Sequence, residues 1–393
     1  MLLGFDEEFL KERNAYITAS AIASQPKAWK ELFGYLIKNK EDFKRFLDPI
    51  LQIKNVKIIL TGAGSSAFVG DCSAGYLRRA LGLDVESIDS TDIAAAPENY
   101  FLKDRPTLLI SYSKSGNSPE SLAVIQEAQQ LINNIYFLNV TCNKEGQLAK
   151  MKIGQERSMS LVLPEEANDS AYAATVSFTT MLLANLLLPY LVDKKCGADD
   201  ILQILVNESK RILNEDCDKI KNIAEESYDR LHFLGSGSLK GCAREAALKS
   251  LELTQGTVNA TYSSFLGLRH GQKFVINDKT ILGCFVSNNA YTQKYDLDLI
   301  DEISHNKMYK GKILLFEPKA LRTEEADYVV SLENKDIDNL DEAFLTLLYA
   351  LYAQMLGLFK SIKLGIKSDN LDPAFSIKEQ AYGVVGKFKI YNL

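Results

Sequence analysis

The amino-acid sequence predicts an α/β protein with two tandem, doubly wound parallel sheets of flavodoxin-like type, each with five strands, preceded by an N-terminal helical segment. Short apolar runs typical of buried strands alternate with helical segments along the 393-residue chain. Such alternation favours parallel sheets covered by helices on both faces. The whole order of segments occurs twice, and each half ends in a long apolar helix.

The spacing of the two halves supports this fold. A glycine-rich turn, Thr61-Gly62-Ala63-Gly64-Ser65-Ser66, lies 173 positions before a similar turn that starts at Leu234. At the same offset, the polar turn that follows a strand in the first half corresponds to Ser287-Asn288-Asn289 in the second half. A fixed offset across several landmarks indicates duplication. Two unrelated α/β domains that share the spacing by chance are the alternative.

The boundaries of the individual elements are predicted from the same apolar runs and polar turns. The segment Phe5–Leu47 is predicted to be helical, with a break at Ser24-Gln25-Pro26, and a linker at Cys196–Asp200 is followed by a helix over Ile201–Leu213. The predicted domains are an N-terminal extension (1–50), a first sheet domain (51–200) and a second sheet domain (201–393). The predicted strands are Val56–Thr61, Val85–Asp89, Thr107–Ser111, Ile135–Val140, Ser158–Leu163, His232–Gly235, Asn259–Tyr262, Thr280–Ser287, Lys312–Phe316 and Tyr328–Leu332.

Composition narrows the classes of function. The net charge of −6 argues against a general nucleic-acid surface. Six cysteines without metal-ligand spacing and only three histidines predict reduced thiols, no metal site and no cofactor. The start of the chain has no signal-peptide core, so a cytoplasmic protein is expected. The apolar segments Tyr172–Val192 and Asp341–Ile362 are predicted to be buried helices, since the first is interrupted by Asn185 and Pro189.

The stretch Ser111–Ser121, with the sequence SYSKSGNSPES, is the strongest indication of a binding site. It places four hydroxyls after an apolar strand and before a helix that opens at Pro119. Backbone N–H groups at a helix start attract anions, and serine hydroxyls can donate further hydrogen bonds to phosphate oxygens. A plain turn with one capping serine is the alternative, but a cap needs only one hydroxyl.

The second half carries charged residues instead of a serine cluster. In a helix, Glu245, Lys249 and Glu252 would share one face because they are spaced at i, i+4 and i+7. A solvated stripe of salt bridges is the commoner meaning of such spacing. The alternative is an active site, since this helix starts at the carboxyl end of the first strand of the second half.

These motifs resemble the sugar isomerase (SIS) domain proteins that act on phosphosugars. The glycine turn and the stretch Ser111–Ser121, here called the serine loop, are similar to the family's phosphosugar-binding loops. The segment 243–256 followed by Leu268-Arg269-His270-Gly271 resembles the catalytic half of the tandem isomerases. The chain as a whole is most similar to the bacterial galactosamine-6-phosphate deaminase/isomerase group, also called tagatose-6-phosphate ketose/aldose isomerases. The segment Ser368–Pro373 resembles that group's terminal signature.

The resemblance implies a role for each matching residue. Glu252 matches the carboxylate that transfers a proton between C1 and C2 of the sugar, with Glu245 and Lys249 as supporting polar residues. His270 matches the histidine associated with ring opening, which in relatives comes from a neighbouring subunit. The residues implied in phosphosugar binding are Gly64, Ser65 and Ser66 on the sugar side, and Ser113, Lys114, Ser115 and Ser118 at the phosphate.

The resemblance also leaves questions open. The synthase of this family has a glutamine-cleaving domain and a catalytic lysine near its C-terminus, and this chain reproduces neither; Lys378 stands in a different context. The resemblance therefore implies a deaminase/isomerase that acts on a hexose or hexosamine 6-phosphate as a homodimer or a dimer of dimers. The alternatives are a deglycase or deaminase for fructosamine or glucosamine phosphates, and a non-catalytic phosphosugar sensor.

Overall fold

The structure, a computed structural model, describes residues 1–154, 156–194, 197–306, 309–321, 325–369 and 391. Ten strands alternate with helices along this part of the chain. The strands are β1 (Lys57–Thr61), β2 (Asp84–Ser87), β3 (Thr107–Ser113), β4 (Ile135–Thr141), β5 (Ser158–Val162), β6 (Arg230–Gly235), β7 (Asn259–Ser263), β8 (Thr280–Phe285), β9 (Lys312–Glu317) and β10 (Tyr328–Ser331).

Fifteen α-helices surround the sheets in the described ranges. They are α1 (Glu7–Glu12), α2 (Tyr16–Lys38), α3 (Lys40–Leu51), α4 (Ser65–Leu81), α5 (Ser90–Ala95), α6 (Pro119–Leu131), α7 (Gln147–Lys150), α8 (Val176–Leu186), α9 (Leu188–Leu191), α10 (Ala198–Glu215), α11 (Cys217–Glu225), α12 (Ser238–Leu253), α13 (Phe265–Leu268), α14 (Ala290–Ser304) and α15 (Glu342–Lys363). Short 3-10 helices lie at Pro97–Asn99, Glu165–Ala167, Gln272–Val275 and Lys335–Asn339.

The strands form two five-stranded parallel sheets with the same topology. The first sheet has the order β2-β1-β3-β4-β5, and the second, read from its other edge, has the order β7-β6-β8-β9-β10. Even the register repeats. Lys57 pairs with Thr107 in the first sheet, and Arg230 pairs with Thr280, both 173 positions later, in the second. The predicted α/β fold class is confirmed, and every predicted strand is present with ends displaced by at most two residues.

The chain divides into two compact units, each containing one sheet. The second-sheet unit comprises Met1–Pro26, Ala171–Thr175 and the described residues from Asp199 to Asp369, and the first-sheet unit comprises Lys27–Ser170 and Val176–Ala198. Each sheet is buried under apolar side chains of its own helices, as with Leu109 beneath α6 and Leu282 beneath α14. The domain boundaries predicted at residues 50 and 200 remain predictions.

The predicted helix break at Ser24-Gln25-Pro26 is wrong, because α2 runs through Pro26. Proline has no N–H, so the carbonyl of Ile22, four residues earlier, loses its helical partner. The side chain of the buried Gln25 replaces that partner, since its Nε2 donates to the Ile22 oxygen at 3.0 Å. The same Nε2 also donates to Oε1 of Gln354 at 2.7 Å. The long-range contact therefore allows a helix that local propensity disfavours.

The predicted apolar helix Tyr172–Val192 is shorter and interrupted. Only α8 and α9 are helical, and α9 begins beside Pro189, which cannot donate a helical hydrogen bond. All of α8 is buried, as predicted for a core helix. The second predicted helix, α15, is long and apolar enough to cross a membrane, but 94% of the segment that meets this criterion is buried within the protein. The predicted linker includes Cys196, which lies outside the described residues, and α10 begins at Ala198.

Candidate active site

The glycine turn after β1 exposes the start of α4. A Cβ on Gly62 would lie 2.6 Å from the backbone carbon of Ser66, so the chain turns there only with glycine. Gly64 has a φ of +57°, in the left-handed region that favours glycine, and α4 begins at the next residue. The first N–H groups of a helix have no partner within the helix. The N–H groups of Gly64 and Ser65 are therefore potential donors at the carboxyl end of the strand, whereas Ser66 offers its hydroxyl, because its N–H donates to the Ala63 carbonyl at 3.2 Å.

The serine loop after β3 brings two hydroxyls together. Ser113 Oγ lies 2.8 Å from Ser118 Oγ and accepts the N–H of Gly116 at 3.1 Å. Ser118 occupies the N-cap position of α6, but its side chain makes no capping hydrogen bond. The reading of this loop as a turn with a capping serine is therefore wrong for Ser118. Ser111 and Ser113 are both buried, at 0% and 1% exposed, but the hydroxyl of Ser113 meets that of the half-buried Ser118, whereas Ser111 lies deeper in the strand.

The loop that contains Asn143 and Gly146 holds the outer part of the serine loop in place. Asn143 Nδ2 donates to the carbonyl of Ser115 at 3.0 Å, and the exposed Ser115 Oγ accepts the N–H of Asn117 at 3.2 Å. A Cβ on Gly146 would lie 2.6 Å from the Ser115 carbonyl oxygen. Gly116, with a φ of +66°, lies in the left-handed region. Two glycines thus let the loops approach closely, and the serine hydroxyls are held in place before any ligand binds.

Lys114 makes an ion pair that the sequence did not suggest. Its Nζ lies 3.2 Å from Oδ2 of Asp169, and both side chains are mostly buried. The two residues are 55 positions apart, and no motif or spacing rule links them. The pair holds the lysine side chain against the loop, and an ammonium group has three donors, so it can still bind an anion.

The charged face of α12 is buried, which contradicts its reading as a solvated stripe. Glu245 and Lys249 are 1% and 0% exposed. The ammonium of Lys249 lies 3.7 Å from Glu245 Oε1 and donates a hydrogen bond to Glu252. The Glu252 side chain keeps 24% of its surface exposed. The cluster therefore has a buried acidic end, a cation in the middle and one accessible carboxylate.

The charge of Lys249 is maintained by its neighbours. Burial is the largest influence and lowers the pKa of this lysine, but Glu245 and Glu252 together outweigh it and raise the pKa above its ordinary value of 10.5. Tyr172 contributes to the same rise. The sequence placed Tyr172 in an apolar helix, and only the fold brings it near Lys249. A permanently charged lysine orients the Glu252 carboxylate, so this carboxylate is suited to move a proton.

The three histidines have different surroundings. His270 is exposed in the turn after α13, next to Gly271 with its φ of +99°. His232 is buried between Thr261 Oγ1 at 2.7 Å and Ser263 Oγ at 2.9 Å, and burial lowers its pKa to about 4. His305 ends α14 at the surface. Of the three, only His270 combines exposure with a glycine-flanked turn, whereas His232 has a structural role.

Two further predictions concern the C-terminus and metal binding. Lys378 and most of the segment Ser368–Pro373 lie outside the described residues. Within the part of the chain that is described, no three His, Cys, Asp or Glu side chains come together in a group that could bind a metal ion.

Comparison with known proteins places this arrangement in a family. Residues 50–189 match the SIS domain family. The chain is 37% identical to the D-galactosamine-6-phosphate deaminase AgaS of Shewanella sp. (strain ANA-3), over 96% of this chain and 93% of that protein.

Two solved structures extend the similarity to the fold. A protein from Clostridium novyi NT, described as a candidate tagatose-6-phosphate ketose/aldose isomerase, has a TM-score of 0.92 and 38% identity, covering 100% of this chain and 99% of that one. The tagatose-6-phosphate ketose/aldose isomerase of Escherichia coli has a TM-score of 0.81 and 32% identity, covering 90% and 94%. The chain belongs to the SIS-domain phosphosugar isomerase family, in the group that contains the AgaS proteins.

Proposed function

We propose that this chain converts galactosamine 6-phosphate and water into tagatose 6-phosphate and ammonia, without a cofactor. The family relationship suggests the substrate class. The structural observation that carries the proposal is the α12 cluster, in which the fully buried Lys249 donates to the accessible carboxylate of Glu252. Such a carboxylate is suited to transfer a proton between adjacent carbon atoms of a sugar.

The phosphate of the substrate contributes to binding and takes no part in the reaction. We assign its binding to Ser113, Ser115 and Ser118, with the ammonium of Lys114 contributing charge. Two of these hydroxyls already converge at 2.8 Å, so little reorganisation is needed on binding. Gly64, Ser65 and Ser66 are assigned to the sugar. Binding energy from a remote group can position the reacting carbons for proton transfer.

The reaction proceeds at C1 and C2 of the open-chain amino sugar. Glu252 removes the proton from C2, the C1 carbonyl oxygen gains a proton, and an enolamine forms. Glu252 then returns the proton to C1, which leaves an imine at C2. Water adds to this carbon, and the C–N bond breaks to release ammonia and the ketose 6-phosphate. Proton transfer by a positioned side chain typically contributes about 10²–10⁴-fold.

Ring opening precedes these steps and is assigned to His270. An imidazole can donate a proton from one ring nitrogen and accept one at the other. The exposed position of His270 is suited to act on a substrate held by a neighbouring copy of the chain. We therefore propose a homodimer or a dimer of dimers, working in the cytoplasm. Glu245 and Lys249 are positioning residues, because they act through Glu252.

The test measures ammonia and ketose formation from galactosamine, glucosamine and fructosamine 6-phosphates. Glu252→Gln should lower kcat at least 100-fold while phosphosugar binding persists. The control is Glu215→Gln, the same substitution on an exposed part of α10, which should leave kcat unchanged. Undiminished turnover in Glu252→Gln would exclude this residue as the proton carrier. Release of ammonia only from fructosamine 6-phosphate would identify a deglycase, and binding without any turnover would identify a sensor.

Binding of the substrate phosphate by the serine loop is tested separately. Ser113→Ala/Ser115→Ala should weaken substrate binding by about 2–4 kcal/mol, since each charge-assisted hydrogen bond contributes about 1.5–3 kcal/mol and the effects are not additive. Ser304→Ala, at the surface end of α14, is the matched control. An unchanged KM and kcat in the double variant would remove the serine loop from the site.

A further inference from the structure

The second-sheet unit repeats the backbone of the proposed phosphosugar site. At the start of α12, Gly237 has φ and ψ of 54° and −128°, against 57° and −133° for Gly64 at the start of α4. Ser287 follows β8, one position beyond Val286, which is the equivalent of Ser113 at the offset of 173 residues. A helix N-terminus and a serine hydroxyl therefore stand at the carboxyl ends of equivalent strands in both units.

In the second-sheet unit these donors already hold an anion, the carboxylate of Glu342. Its Oε1 accepts the N–H of Ser238, the first residue of α12, at 3.2 Å. Its Oε2 accepts the hydroxyl of Ser287 at 2.7 Å. A side chain at Gly237 would collide with Oε1 of Glu342, so the glycine makes room for the carboxylate. One oxygen is thus bound by a serine hydroxyl, the kind of donor assigned to the phosphate in the first-sheet unit, and the other by a helix N-terminus, the kind assigned to the sugar.

A second carboxyl group lies beneath Glu342. Asp296 is fully buried and accepts the Ser236 hydroxyl at 2.6 Å and the Ser287 N–H at 3.1 Å. Burial raises the pKa of Asp296 to about 7, and the nearby charge of Glu342 acts in the same direction. The Ser236 hydroxyl and the Ser287 N–H are thus occupied by Asp296, and Glu342 is the carboxyl group that faces the start of α12.

From these contacts we infer that Glu342 is an internal ligand, which fills in the second-sheet unit the position that the first-sheet unit keeps for the anionic phosphosugar. This inference rests on the proposed function for the identity of the first site. It follows that one chain binds one phosphate group, and that removing the Glu342 carboxylate opens a second anion site. A carboxylate can take the place of a bound anion because its two oxygens can accept hydrogen bonds from two donors, as phosphate oxygens do.

The experiment uses the full chain and inorganic phosphate as the probe. Glu342→Ala is compared with Asp341→Ala, which removes the neighbouring side chain that caps α15 by accepting the N–H of Ala343. Both variants lose a favourable contact at the start of α15, but only the first vacates the donors of Ser238 and Ser287. Each is made in the Ser113→Ala/Ser115→Ala background, and Tm is measured in phosphate and in chloride at equal ionic strength.

Phosphate should raise the Tm of the Glu342→Ala chain by about 3 °C or more at concentrations well above its Kd, and should leave the Asp341→Ala chain unchanged. Equal responses of the two chains to phosphate would overturn the inference. The parent Ser113→Ala/Ser115→Ala chain tests the proposed function separately. If it keeps the phosphate stabilisation of the wild type, the serine loop is not the phosphate site.

A measurement on the wild-type chain covers the case in which Glu342→Ala does not fold. Equilibrium dialysis with radiolabelled phosphate should give one site per chain, and this site should disappear in Ser113→Ala/Ser115→Ala. The inference would be overturned if the wild type had a second phosphate site that persists in Ser113→Ala/Ser115→Ala and disappears in Gly237→Ala. Such a site would mean that the start of α12 binds phosphate although Glu342 is present.

Discussion

Replacing Lys249 by methionine should destabilise the protein strongly, and a second substitution should reverse part of the loss. Methionine has a similar length and no charge, so the change removes the cation from the α12 cluster with little change in volume. Glu245 then remains 1% exposed after the loss of the Lys249 ammonium. Removing one partner of a buried ion pair leaves a charge that the protein interior cannot solvate.

The magnitude follows from the geometry. The ammonium of Lys249 and Oε1 of Glu245 are 3.7 Å apart. At an effective dielectric constant of about 20, that separation corresponds to about 4.5 kcal/mol of attraction. Removing one partner of a buried pair usually costs about 3–5 kcal/mol. We therefore expect the free energy of unfolding to fall by about 3–5 kcal/mol in Lys249→Met.

Urea unfolding of five chains measures this effect: the wild type, and Lys249→Met and Lys360→Met, each with and without Glu245→Gln. Glu245→Gln added to Lys249→Met removes the buried carboxylate charge, so it should recover about 2 kcal/mol or more. Lys360→Met is the matched control, because Lys360 is also buried but donates to the backbone carbonyls of Ala224 and Glu226. Its loss of stability should not respond to Glu245→Gln.

Two results would refute the reasoning. A Lys249→Met chain within 1 kcal/mol of the wild type would mean that the buried charges do not depend on one another. Equal effects of Glu245→Gln in the Lys249→Met and Lys360→Met chains would mean that the recovery does not come from the ion pair.

Three further predictions concern the packing around the sheets. Gly146→Ala should cost about 1–3 kcal/mol and raise KM, because the new Cβ would press on the Ser115 carbonyl; an unchanged KM would separate this loop from the site. Gln25→Leu should cost about 1–3 kcal/mol in urea unfolding by leaving the Ile22 carbonyl unpaired, and equal stability would contradict the explanation given for α2. Since the folded pKa of His232 is about 4 and lies below its ordinary 6.5, protonation favours the unfolded chain, and stability should fall by up to about 3 kcal/mol as the pH drops from 6.5 to 4. His232→Gln should lack that part of the pH dependence, and parallel curves would contradict it.

Local patterns were sufficient to predict most of the fold. The strands were recognisable because buried parallel strands are short apolar runs bounded by polar turns, and all ten were found within two residues. The glycine turn was recognisable because only glycine allows the close approach that Gly62 makes to Ser66. The serine loop was recognisable because its four hydroxyls lie close together along the chain, between Ser111 and Ser118.

Other features depend on contacts between distant parts of the chain. The helix through Pro26 survives because the Gln25 side chain replaces a missing donor and is itself bound to Gln354. The pairing of Lys114 with Asp169 joins residues 55 positions apart. No periodicity or motif could predict either contact.

The sequence by itself determined the two parallel sheets, the position of the serine loop and the helical face shared by Glu245, Lys249 and Glu252, because each depends on residues that are near neighbours along the chain. Only the tertiary structure decided that this face is buried, and that Glu342 accepts hydrogen bonds from Ser238 and Ser287. Burial and the neutralisation of charge depend on which distant elements pack together, and the spacing of residues along one helix does not contain that information.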